Sequence, residues 1–575
     1  MDFVTAINDA YRFKGPHIPL GVGVFENTPQ PDVPVSLPLG TLNRHGLISG
    51  ATGTGKTKTL QMLSEQLSRN GVPVMLMDLK GDLAGLSAAG TSNEIIEARK
   101  SLVKGHYPFT PEAFPVHFLS LGNDNGIPLR AKLQDFGSVL LSRILNLNNV
   151  QRGIIGIVFK YCNENGLPIN TLQDLRFVLN QICAADEQIQ EKYGSVSQAS
   201  VATILRSISE LEEQGAEKFI ATPAFDIQDL IGFDESGRGR ISIIGLSKIQ
   251  DKPALFSTFI LYLLTTIYDS MPEIGDTAKP KLALFIDEAH LLFNETGSAI
   301  ESKIESIVKL IRSKGIAIIF CTQTPLDISE SVIGQLGFKI QHALRAFTPK
   351  DRKAIKQMAA NFPESPFYDL EDEITRLPIG EAFVTVLNEA GAPTPVARTL
   401  IAPPVSHMGP ISEQAMVMQV KENQLYAKYS KQDTRSTETH PQLIAYHQQL
   451  LEQQRSKEEQ AKRLKNEEKQ RTKKATNIKT QNSPGGGLNP LLQMYSNMMA
   501  GNALHHQTNQ PPIGVQNTVQ YYYSNDGQRI GPYDIQQIKQ LVASGMIHSH
   551  SYVWKTGMSN WLLLHQFSEL NTNEP

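Results

Sequence analysis

The stretch that decides the fold is Gly50-Ala51-Thr52-Gly53-Thr54-Gly55-Lys56-Thr57. It satisfies every position of the phosphate-binding pattern G-x-x-x-x-G-K-[ST]. An apolar run at residues 46–49 precedes it as a short strand, and residues 58–63 follow it with helical spacing. Glycines let the backbone wrap around an anion with successive N–H groups pointing inward, and the start of a helix adds its positive dipole end. The stretch therefore predicts a nucleoside-triphosphate site.

The same pattern assigns roles within the loop. We expect Lys56 to reach the β- and γ-phosphates and the Thr57 hydroxyl to hold Mg²⁺. The nucleotide is expected to contact a continuous run of residues: Gly50, Ala51, Thr52, Gly53, Thr54, Gly55, Lys56, Thr57 and Lys58.

A second apolar run, at residues 282–286, ends in two acids, Asp287 and Glu288. Asp287, at a strand tip beside the phosphate loop, is expected to hold Mg²⁺ together with Thr57. Glu288 is then placed to polarise the attacking water as a general base. Acid pairs at strand ends also act as helix caps, but together with the phosphate loop this pair favours hydrolysis over simple nucleotide binding.

Residues near a later strand extend the predicted site. Gln323 follows the apolar strand predicted at residues 316–321 and is expected to sense the γ-phosphate. The alternative is an amide that satisfies backbone groups in a turn. Arg312 precedes the strand and is a candidate arginine finger, supplied to a neighbouring subunit's site. Lys314 competes for this role, and a surface cation at a helix end is the third interpretation. Arg345 is either a second sensor or an ion-paired structural arginine.

The stretch Asp78-Leu79-Lys80-Gly81-Asp82 lies at the tip of the strand after the phosphate loop. Asp82 is expected either to help order the water or metal or to cap a helix. His45, His117 and His290 fit no metal-ligand spacing, and we expect them to be structural or at the edge of the site.

The order of elements predicts an α/β fold, a P-loop (RecA-like) domain with a mostly parallel sheet. Near-continuous apolar strands alternate with helical segments, which is typical of such a sheet. Between residues 129 and 230, apolar residues such as Leu133, Phe136 and Leu140 recur at helical spacing and indicate an all-α insertion. The alternative places this segment in the main sheet layer. Strands at 381–386 and 395–400 are expected to form an antiparallel edge.

We divide the chain by these changes in composition. The predicted segments are a short β-type lead-in (1–45), a nucleotide-binding core in two parts (46–128 and 231–410), the all-α insertion (129–230), a polar helical or coiled segment (411–475), a flexible linker (476–516) and a small α+β domain (517–575).

Composition sets the remaining limits. A chain of 575 residues is too long for one core. A net charge of −3 gives no global attraction to nucleic acid or anionic membranes, so any basic surface must be local. The widely spaced Cys162, Cys183 and Cys321 argue against disulfides or a zinc site and fit a reducing compartment. The start of the chain does not resemble a signal peptide, and the most apolar helical run is too short to span a bilayer. We expect a cytoplasmic location.

Residues 43–57, the 78–82 stretch, Asp287-Glu288 and residues 311–323 together resemble the HerA–FtsK superfamily. Residues 341–349 are similar, more specifically, to the YjgR-type bacterial proteins with a HerA-like C-terminal domain. The resemblance covers about residues 1–425. It implies a ring-forming, usually hexameric ATPase that uses ATP and Mg²⁺ and moves DNA or protein through a central pore. It also implies that Lys56, Thr57, Asp287 and Glu288 form the hydrolysis core, with Gln323 as sensor and Arg312 as the finger in trans.

Residues from Tyr521 onward resemble the bacterial variant of the GYF domain. Better-known GYF domains dock proline-rich peptides on an aromatic face, so the resemblance implies a protein partner. Its contacts are expected at Tyr523, Gly531, Pro532, Tyr533, Trp554 and Trp561. Both tryptophans of the chain lie here, and the core of this small domain is the other role open to them.

Two functions follow. The first is a motor ATPase that translocates DNA, for which the paired acids and Arg312 argue. The second is a nucleotide-switched scaffold or protein-remodelling ATPase that recruits a partner and does not act on DNA, toward which the near-neutral net charge leans.

Overall fold

A computed structural model describes residues 2–481 and 520–570, apart from 104, 108, 122–124, 185–190, 195, 250–251, 276, 294–297, 347, 432–438, 526–527, 545, 549–550, 557, 559–560 and 568. Two compact units, Met1–Lys462 and Arg463–Pro575, make up the chain.

The first unit is built on one large sheet, which has twelve strands among the described residues. The strands are β1 (His17–Phe25), β2 (Thr28–Pro38), β3 (Gly46–Ser49), β4 (Val74–Asp78), β5 (Val116–Ser120), β6 (Ile127–Pro128), β7 (Ile241–Gly245), β8 (Leu282–Ile286), β9 (Ile316–Thr322), β10 (Phe338–Gln341), β11 (Glu381–Val386) and β12 (Ala397–Ile401). Their order across the sheet is β2-β1-β12-β11-β10-β3-β9-β8-β4-β7-β5-β6.

The half of the sheet from β10 to β6 is parallel, as predicted. Its central strands β3, β4, β8 and β9 are buried along their whole length, because helices cover both faces of such a sheet. Ser49 pairs with Thr322, and Ile286 pairs with both Phe320 and Met77. The carboxyl ends of these four strands therefore meet at one edge of the sheet.

The other half, from β2 to β10, is antiparallel. The predicted pair β11 and β12 forms, but it is not the edge of the sheet. The segment predicted as a β-type lead-in contributes the helix Phe3–Ala10 and the hairpin β1–β2, and β1 pairs with β12 at Gly21 and Ile401. The hairpin thus extends the main sheet.

The segment at 129–230, predicted as an all-α insertion, contains helices and none of the twelve strands among its described residues. Its helices are Leu133–Ile144, Asn149–Glu164, Leu172–Cys183, Gln198–Glu213, Ala216–Phe219 and Ile227–Leu230. The predicted apolar positions Leu133, Phe136 and Leu140 are buried. The functional boundaries of this segment stay a prediction.

The remaining α-helices of the first unit flank the sheet or follow it. They are Lys56–Arg69, Glu94–Val103, Pro253–Ser270, His290–Phe293, Ser298–Ile311, Glu330–Ile333, Pro349–Ala359, Leu370–Glu373, Glu413–Glu422 and Gln424–Tyr429. A long polar helix spans Pro441–Gln481. Most of the predicted linker, 482–516, lies outside the described residues. None of the described helices is long and apolar enough to cross a membrane.

The second unit contains a four-stranded antiparallel sheet in the order β14-β13-β15-β16. Its strands are β13 (Tyr521–Asn525), β14 (Gln528–Tyr533), β15 (Tyr552–Lys555) and β16 (Leu562–Leu563), and the helix Ile535–Ala543 lies between β14 and β15 in the chain. A small core that includes Tyr521, Tyr523, Ile538 and Val553 holds these elements together.

Candidate nucleotide-binding site

The predicted phosphate loop connects β3 in the middle of the sheet to the helix Lys56–Arg69. Gly50 and Gly55 have φ angles of 151° and 116°, which L side chains rarely adopt. A Cβ on Gly50 would also lie 2.6 Å from the Cβ of His342. Glycine is thus needed at the start of the loop for both its backbone angle and its close packing.

The loop holds backbone donors for which the described part of the chain supplies no acceptor. The N–H groups of Gly50 and Ala51 donate to Thr322 and Ala343, and that of Thr54 donates to Ala51. Five other N–H groups of this stretch donate to no residue in the described part of the chain: Thr52, Gly53, Gly55, Lys56 and Thr57. Backbone donors clustered at a helix start are the ordinary construction of a phosphate site.

Lys56 is buried, and its ammonium donates a hydrogen bond to the carbonyl of Gly50, within its own loop. Burial lowers the pKa of Lys56, while the nearby Glu288 acts in the opposite direction. Thr57 and Lys58 are half-buried beside it. A buried ammonium with one carbonyl partner is poised to exchange that partner for phosphate oxygens.

Asp287 lies directly after β8 and is buried. Its Oδ1 accepts the N–H of Glu288 at 3.0 Å. Burial, and then the adjacent Glu288 carboxylate, raise the pKa of Asp287 to about 6. A buried carboxylate beside a second carboxylate is stabilised by a cation, so the donor set here fits Mg²⁺, which prefers oxygen ligands.

Glu288 occupies a strained backbone position, with φ at 50°. Such a conformation costs a non-glycine residue on the order of 1–3 kcal/mol. Its Oε1 is 2.5 Å from the ammonium of Lys80, and its Oε2 is 3.4 Å from Nδ1 of His290. Burial acts to raise the pKa of Glu288, but the hydrogen bond and charge of Lys80 outweigh it and hold the pKa below its usual value. His290 therefore lies at the edge of the site.

The stretch after β4 is organised by Asp78, which accepts the N–H groups of Lys80, Gly81 and Leu83. Asp82 does not cap a helix, because the next element is the 3-10 helix Ala84–Ser87, whose N-cap is Leu83. Oδ1 of Asp82 is buried without a hydrogen-bond partner among the described residues. Its role toward water or metal stays a prediction.

Gln323 is exposed directly after β9, next to the start of the phosphate loop. The neighbouring Thr322 fixes that position, since its carbonyl accepts the N–H of Gly50 and its hydroxyl donates to Asp327. Arg345 is exposed beyond β10, close to Ala343, which the loop contacts. Both residues thus lie at the edge of the sheet that carries the loop.

Arg312 and Lys314 lie in the 3-10 helix Arg312–Lys314, which leads into β9. They therefore lie at the opposite end of the strand from Gln323 and outside this chain's own site. The ammonium of Lys314 donates to the carbonyl of Met271 and lies over the ring of Tyr268. That Arg312 acts as an arginine finger in the site of a neighbouring subunit stays a prediction.

His342 supports the loop, a role that the sequence did not assign. Burial lowers its pKa to about 4, so the ring is neutral at pH 7. Its Nδ1 lies 2.9 Å from the carbonyl of Glu381, and its Nε2 lies 2.9 Å from the Thr59 hydroxyl. Its position one residue after a predicted buried strand was the available signal.

His45 and His117, which the sequence analysis considered together with His290, are structural as far as the nucleotide site is concerned. His45 accepts the N–H of Ile318 at Nδ1 and donates to the carbonyl of Val308 from Nε2. His117 is buried beside Arg240. All three cysteines carry free thiols.

The second unit places its predicted contact residues in two environments. Tyr523 is 8% exposed and stacks on Tyr533 in the core, so the prediction that its side chain faces a partner is wrong. Alternation along β13 instead turns Tyr522 outward, against Trp554. The guanidinium of Arg529 lies 3.6 Å from the Tyr522 ring centroid and 4.7 Å from that of Trp554. Gly531 and Pro532 are exposed, and Trp561 is half-buried.

Comparison with known families agrees with this arrangement. The model of the family Helicase HerA-like C-terminal matches residues 25–510, most of the chain. The chain belongs to this family. Residues 521–570 match the family GYF domain 2. Both resemblances read from the sequence are thereby confirmed.

Curated relatives of this HerA-like chain carry the name DNA double-strand break repair helicase HerA. The protein of Saccharolobus solfataricus is 21% identical over 362 residues, which are 61% of this chain and 64% of the relative. That of Sulfurisphaera tokodaii is 24% identical over 363 residues with the same coverage. The chain thus spans less than two thirds of the length of these relatives.

Among solved structures, the bacterial conjugative coupling protein TrwBdeltaN70 is similar, with a TM-score of 0.44 and 15% identity over 71% of this chain and 94% of that one. VirB4 of Thermoanaerobacter pseudethanolicus is similar with a TM-score of 0.40 and 14% identity, over 68% of this chain and 98% of that one.

Proposed function

We propose that the chain hydrolyses ATP with Mg²⁺. The observation that carries this proposal is the meeting of two features at one edge of the sheet. One is a phosphate loop with five backbone donors that have no acceptor among the described residues, and the other is the buried acid pair Asp287 and Glu288. The first feature binds a triphosphate, and the second supplies the metal ligand and the base that hydrolysis needs.

Each residue then has a task. Lys56 leaves the Gly50 carbonyl and binds the β- and γ-phosphates, while the free N–H groups of the loop hold the phosphate oxygens. Thr57 and Asp287 would hold Mg²⁺, which when bound neutralises charge on the phosphates. Glu288 accepts the proton of the attacking water. Gln323 senses the γ-phosphate.

We further propose that the chain works as a ring, a hexamer by family resemblance, and translocates DNA. The relatives named as DNA repair helicases support this part. Arg312 lies outside its own chain's site, as a residue that acts in trans must. In a ring it would stabilise the transition-state charge in the neighbouring site.

The finger can be tested by mixing two inactive variants. Lys56→Ala disables a site, and Arg312→Ala removes the finger that a subunit gives to its neighbour. In a mixed ring, some sites have an intact Lys56 and receive Arg312 from a Lys56→Ala neighbour, so part of the turnover returns. A mixture that stays as inactive as its components would contradict action in trans.

The motor is tested by ATP turnover of the purified chain with and without double- and single-stranded DNA. Glu288→Gln is the blank, and we expect it to lower kcat by about 10²–10⁴-fold, the usual contribution of a general base. DNA should raise the wild-type rate several-fold. No turnover above the blank would refute hydrolysis itself.

Turnover that DNA leaves unchanged would favour the second function, a scaffold or protein-remodelling ATPase. The observation behind it is the match of residues 521–570 to a GYF domain, together with the net charge of −3. That function predicts that partner capture depends on the second unit.

A further inference from the structure

We propose that a cavity in the first unit, separate from the nucleotide site, binds a small anion of the carboxylate or phosphate class. Its volume is about 490 Å³. Pockets that hold small-molecule ligands measure roughly 300–1,000 Å³, so the cavity is large enough for such a ligand. The lining residues come from the main sheet on one side and mainly from the helices Glu413–Glu422 and Gln424–Tyr429 on the other.

The cavity lies at the edge of the sheet opposite the phosphate loop. Val116, the first residue of β5, pairs with Ile241, the first residue of β7. Both strands run parallel to β4, whose carboxyl end carries Asp78. His117 and Arg240, which line the cavity, therefore lie at the amino ends of these strands. A ligand bound here would not share contacts with a nucleotide at the loop.

Arg240 supplies the positive charge of the site. It is half-buried, and its guanidinium donates to two uncharged acceptors, the carbonyl of Phe233 at 3.1 Å and Nε2 of His117 at 3.2 Å. It forms no ion pair with a carboxylate in the part of the chain that the structure describes. A guanidinium has five N–H donors in a planar fork that matches carboxylate and phosphate oxygens. Arg240 thus keeps donors for an anion.

His117 adds a second donor beside Arg240. Because a guanidinium can only donate, Nε2 of His117 accepts their hydrogen bond, and the neutral ring then carries its proton on Nδ1. Burial, and then the charge of Arg240, lower the pKa of His117 to about 4, so the ring is neutral at pH 7. Nδ1 is buried and has no hydrogen-bond partner among the described residues. A buried N–H group of this kind requires an acceptor from outside the described chain.

Side-chain amides provide further donors on the opposite wall. Gln419 belongs to the first of the two helices, and Asn423 lies at their junction. The side-chain oxygen of Asn423 accepts the N–H of Leu425, which leaves its NH₂ group as a donor. Neutral amides of this kind add hydrogen bonds to an anion without cancelling its charge.

Two carboxylates also line the cavity, and their surroundings differ. Asp229 is neutralised, because its Oδ2 accepts the Lys428 ammonium at 2.6 Å and also the Tyr429 hydroxyl. Glu422 is exposed, so solvent and salt screen its charge. Arg240 is thus the charge that decides the sign of the ligand. Glu422 acts weakly against an anion, which makes its removal informative.

The test measures the binding of inorganic phosphate and of succinate by calorimetry at constant ionic strength. The parent is the Lys56→Ala chain, whose phosphate loop is disabled, so that phosphate bound at the loop does not contribute. We expect at least one of the two anions to bind. Arg240→Gln should weaken that binding by about tenfold or more, because charged hydrogen bonds are lost. Glu422→Gln should tighten it by about two- to threefold, the effect of removing one exposed charge.

Lys421→Gln is the matched control for Arg240→Gln, because it removes one positive charge at an exposed position next to Glu422. It should change the affinity by less than about twofold. Since Glu422 is exposed, Glu422→Gln tests the sign of the ligand's charge even if Arg240→Gln does not fold.

The two anions also distinguish the source of the ligand. Binding of succinate alone would support a carboxylate ligand, and binding of phosphate alone would support a phosphorylated one. The site would be refuted if neither anion bound, if Arg240→Gln left the affinity unchanged, or if Glu422→Gln weakened it. None of these results depends on ATP hydrolysis, because the parent chain already lacks Lys56.

Discussion

The ammonium of Lys80 lies 2.5 Å from Oε1 of Glu288 and thereby joins the tips of two neighbouring strands, β4 and β8. Lys80 is 44% exposed at its side chain, whereas Glu288 is 9% exposed. The proposed base thus has a strained backbone conformation, and its side chain is paired with a cation that follows another strand. We expect this pair to make Lys80 a positioning residue for hydrolysis.

We expect Lys80→Met to lower kcat by roughly ten- to hundredfold, because a base that moves by about an ångström loses that much. Affinity for ATP should change less than twofold, because Lys80 is not part of the phosphate loop. Lys80→Arg, which keeps the charge, should restore part of kcat. Steady-state turnover and equilibrium ATP binding measure the two effects separately.

The control for this prediction is Lys100→Met, which removes a surface lysine 3.5 Å from Glu97. A surface pair of this kind contributes little, so kcat should stay unchanged. If Lys80→Met had the kcat of the wild type, or lost ATP affinity in parallel, the positioning role would be wrong.

Replacement of Gly50 by alanine should damage the loop. The new Cβ would lie 2.6 Å from the Cβ of His342, and the residue would keep a φ of 151°. We expect the free energy of unfolding to fall by about 1–3 kcal/mol and nucleotide binding to weaken. Urea denaturation followed by circular dichroism measures the first effect.

Gly156→Ala provides the opposite control. Gly156 lies inside the helix Asn149–Glu164, and a Cβ there meets nothing within 4 Å. Alanine should stabilise that helix by about 0.5–1 kcal/mol. Equal effects of the two substitutions would contradict the packing argument for Gly50.

The features that could be predicted from the sequence are those that local patterns of residues encode. The phosphate loop, the strand before Asp287 and Glu288, and the mostly parallel sheet all follow from glycine spacing and apolar runs, and the fold class is confirmed. The buried position of Tyr523 could also have been predicted from the spacing of residues along its strand. Tyr521 and Tyr523 are two residues apart on a strand and share a face, so both enter the core while Tyr522 faces outward.

Contacts between distant segments could not be predicted. Lys80 and Glu288 are 208 residues apart, and their pairing requires β4 to lie beside β8. Arg99 contacts Gly380 across 281 residues for a similar reason. The pairing of β1 with β12 follows from the order of strands in the sheet, which the alternation of side chains along one strand does not specify.

Glu65 gives the first unit a pH-dependent stability. It is buried on the helix that follows the phosphate loop and accepts the N–H groups of Val405 and Ser406. Burial raises its pKa to about 6. Since the folded-state pKa exceeds the unfolded value of about 4.5, the stability linked to this group is present below pH 4.5 and is lost as pH rises through 6.

The loss should amount to about 2 kcal/mol, from a shift of roughly 1.5 pH units. We expect the difference in unfolding free energy between the wild type and Glu65→Gln to change with pH between about 4.5 and 6.5, since glutamine does not titrate. Urea denaturation across this range measures it. A difference that is constant with pH would show that Glu65 is not the titrating group.

The aromatic face of the second unit is occupied by its own Arg529, which stacks on Tyr522 and Trp554. A proline-rich peptide that docks on these rings must displace the guanidinium. Arg529→Ala should therefore tighten binding of such a peptide by about two- to fivefold, the equivalent of one exposed cation–π contact of about 0.5–1 kcal/mol. Both tryptophans of the chain lie in this unit, so intrinsic fluorescence of the full chain reports on it directly.

Arg206→Ala, at an exposed position of a helix in the first unit, is the matched control and should leave peptide binding unchanged. If Arg529→Ala weakened binding, the guanidinium would itself contact the ligand, and the preferred partner would be acidic. If neither substitution changed a measurable affinity, the peptide would dock away from Tyr522 and Trp554. The competition between Arg529 and a ligand for one pair of rings is thus decided by the sign of a single change in affinity.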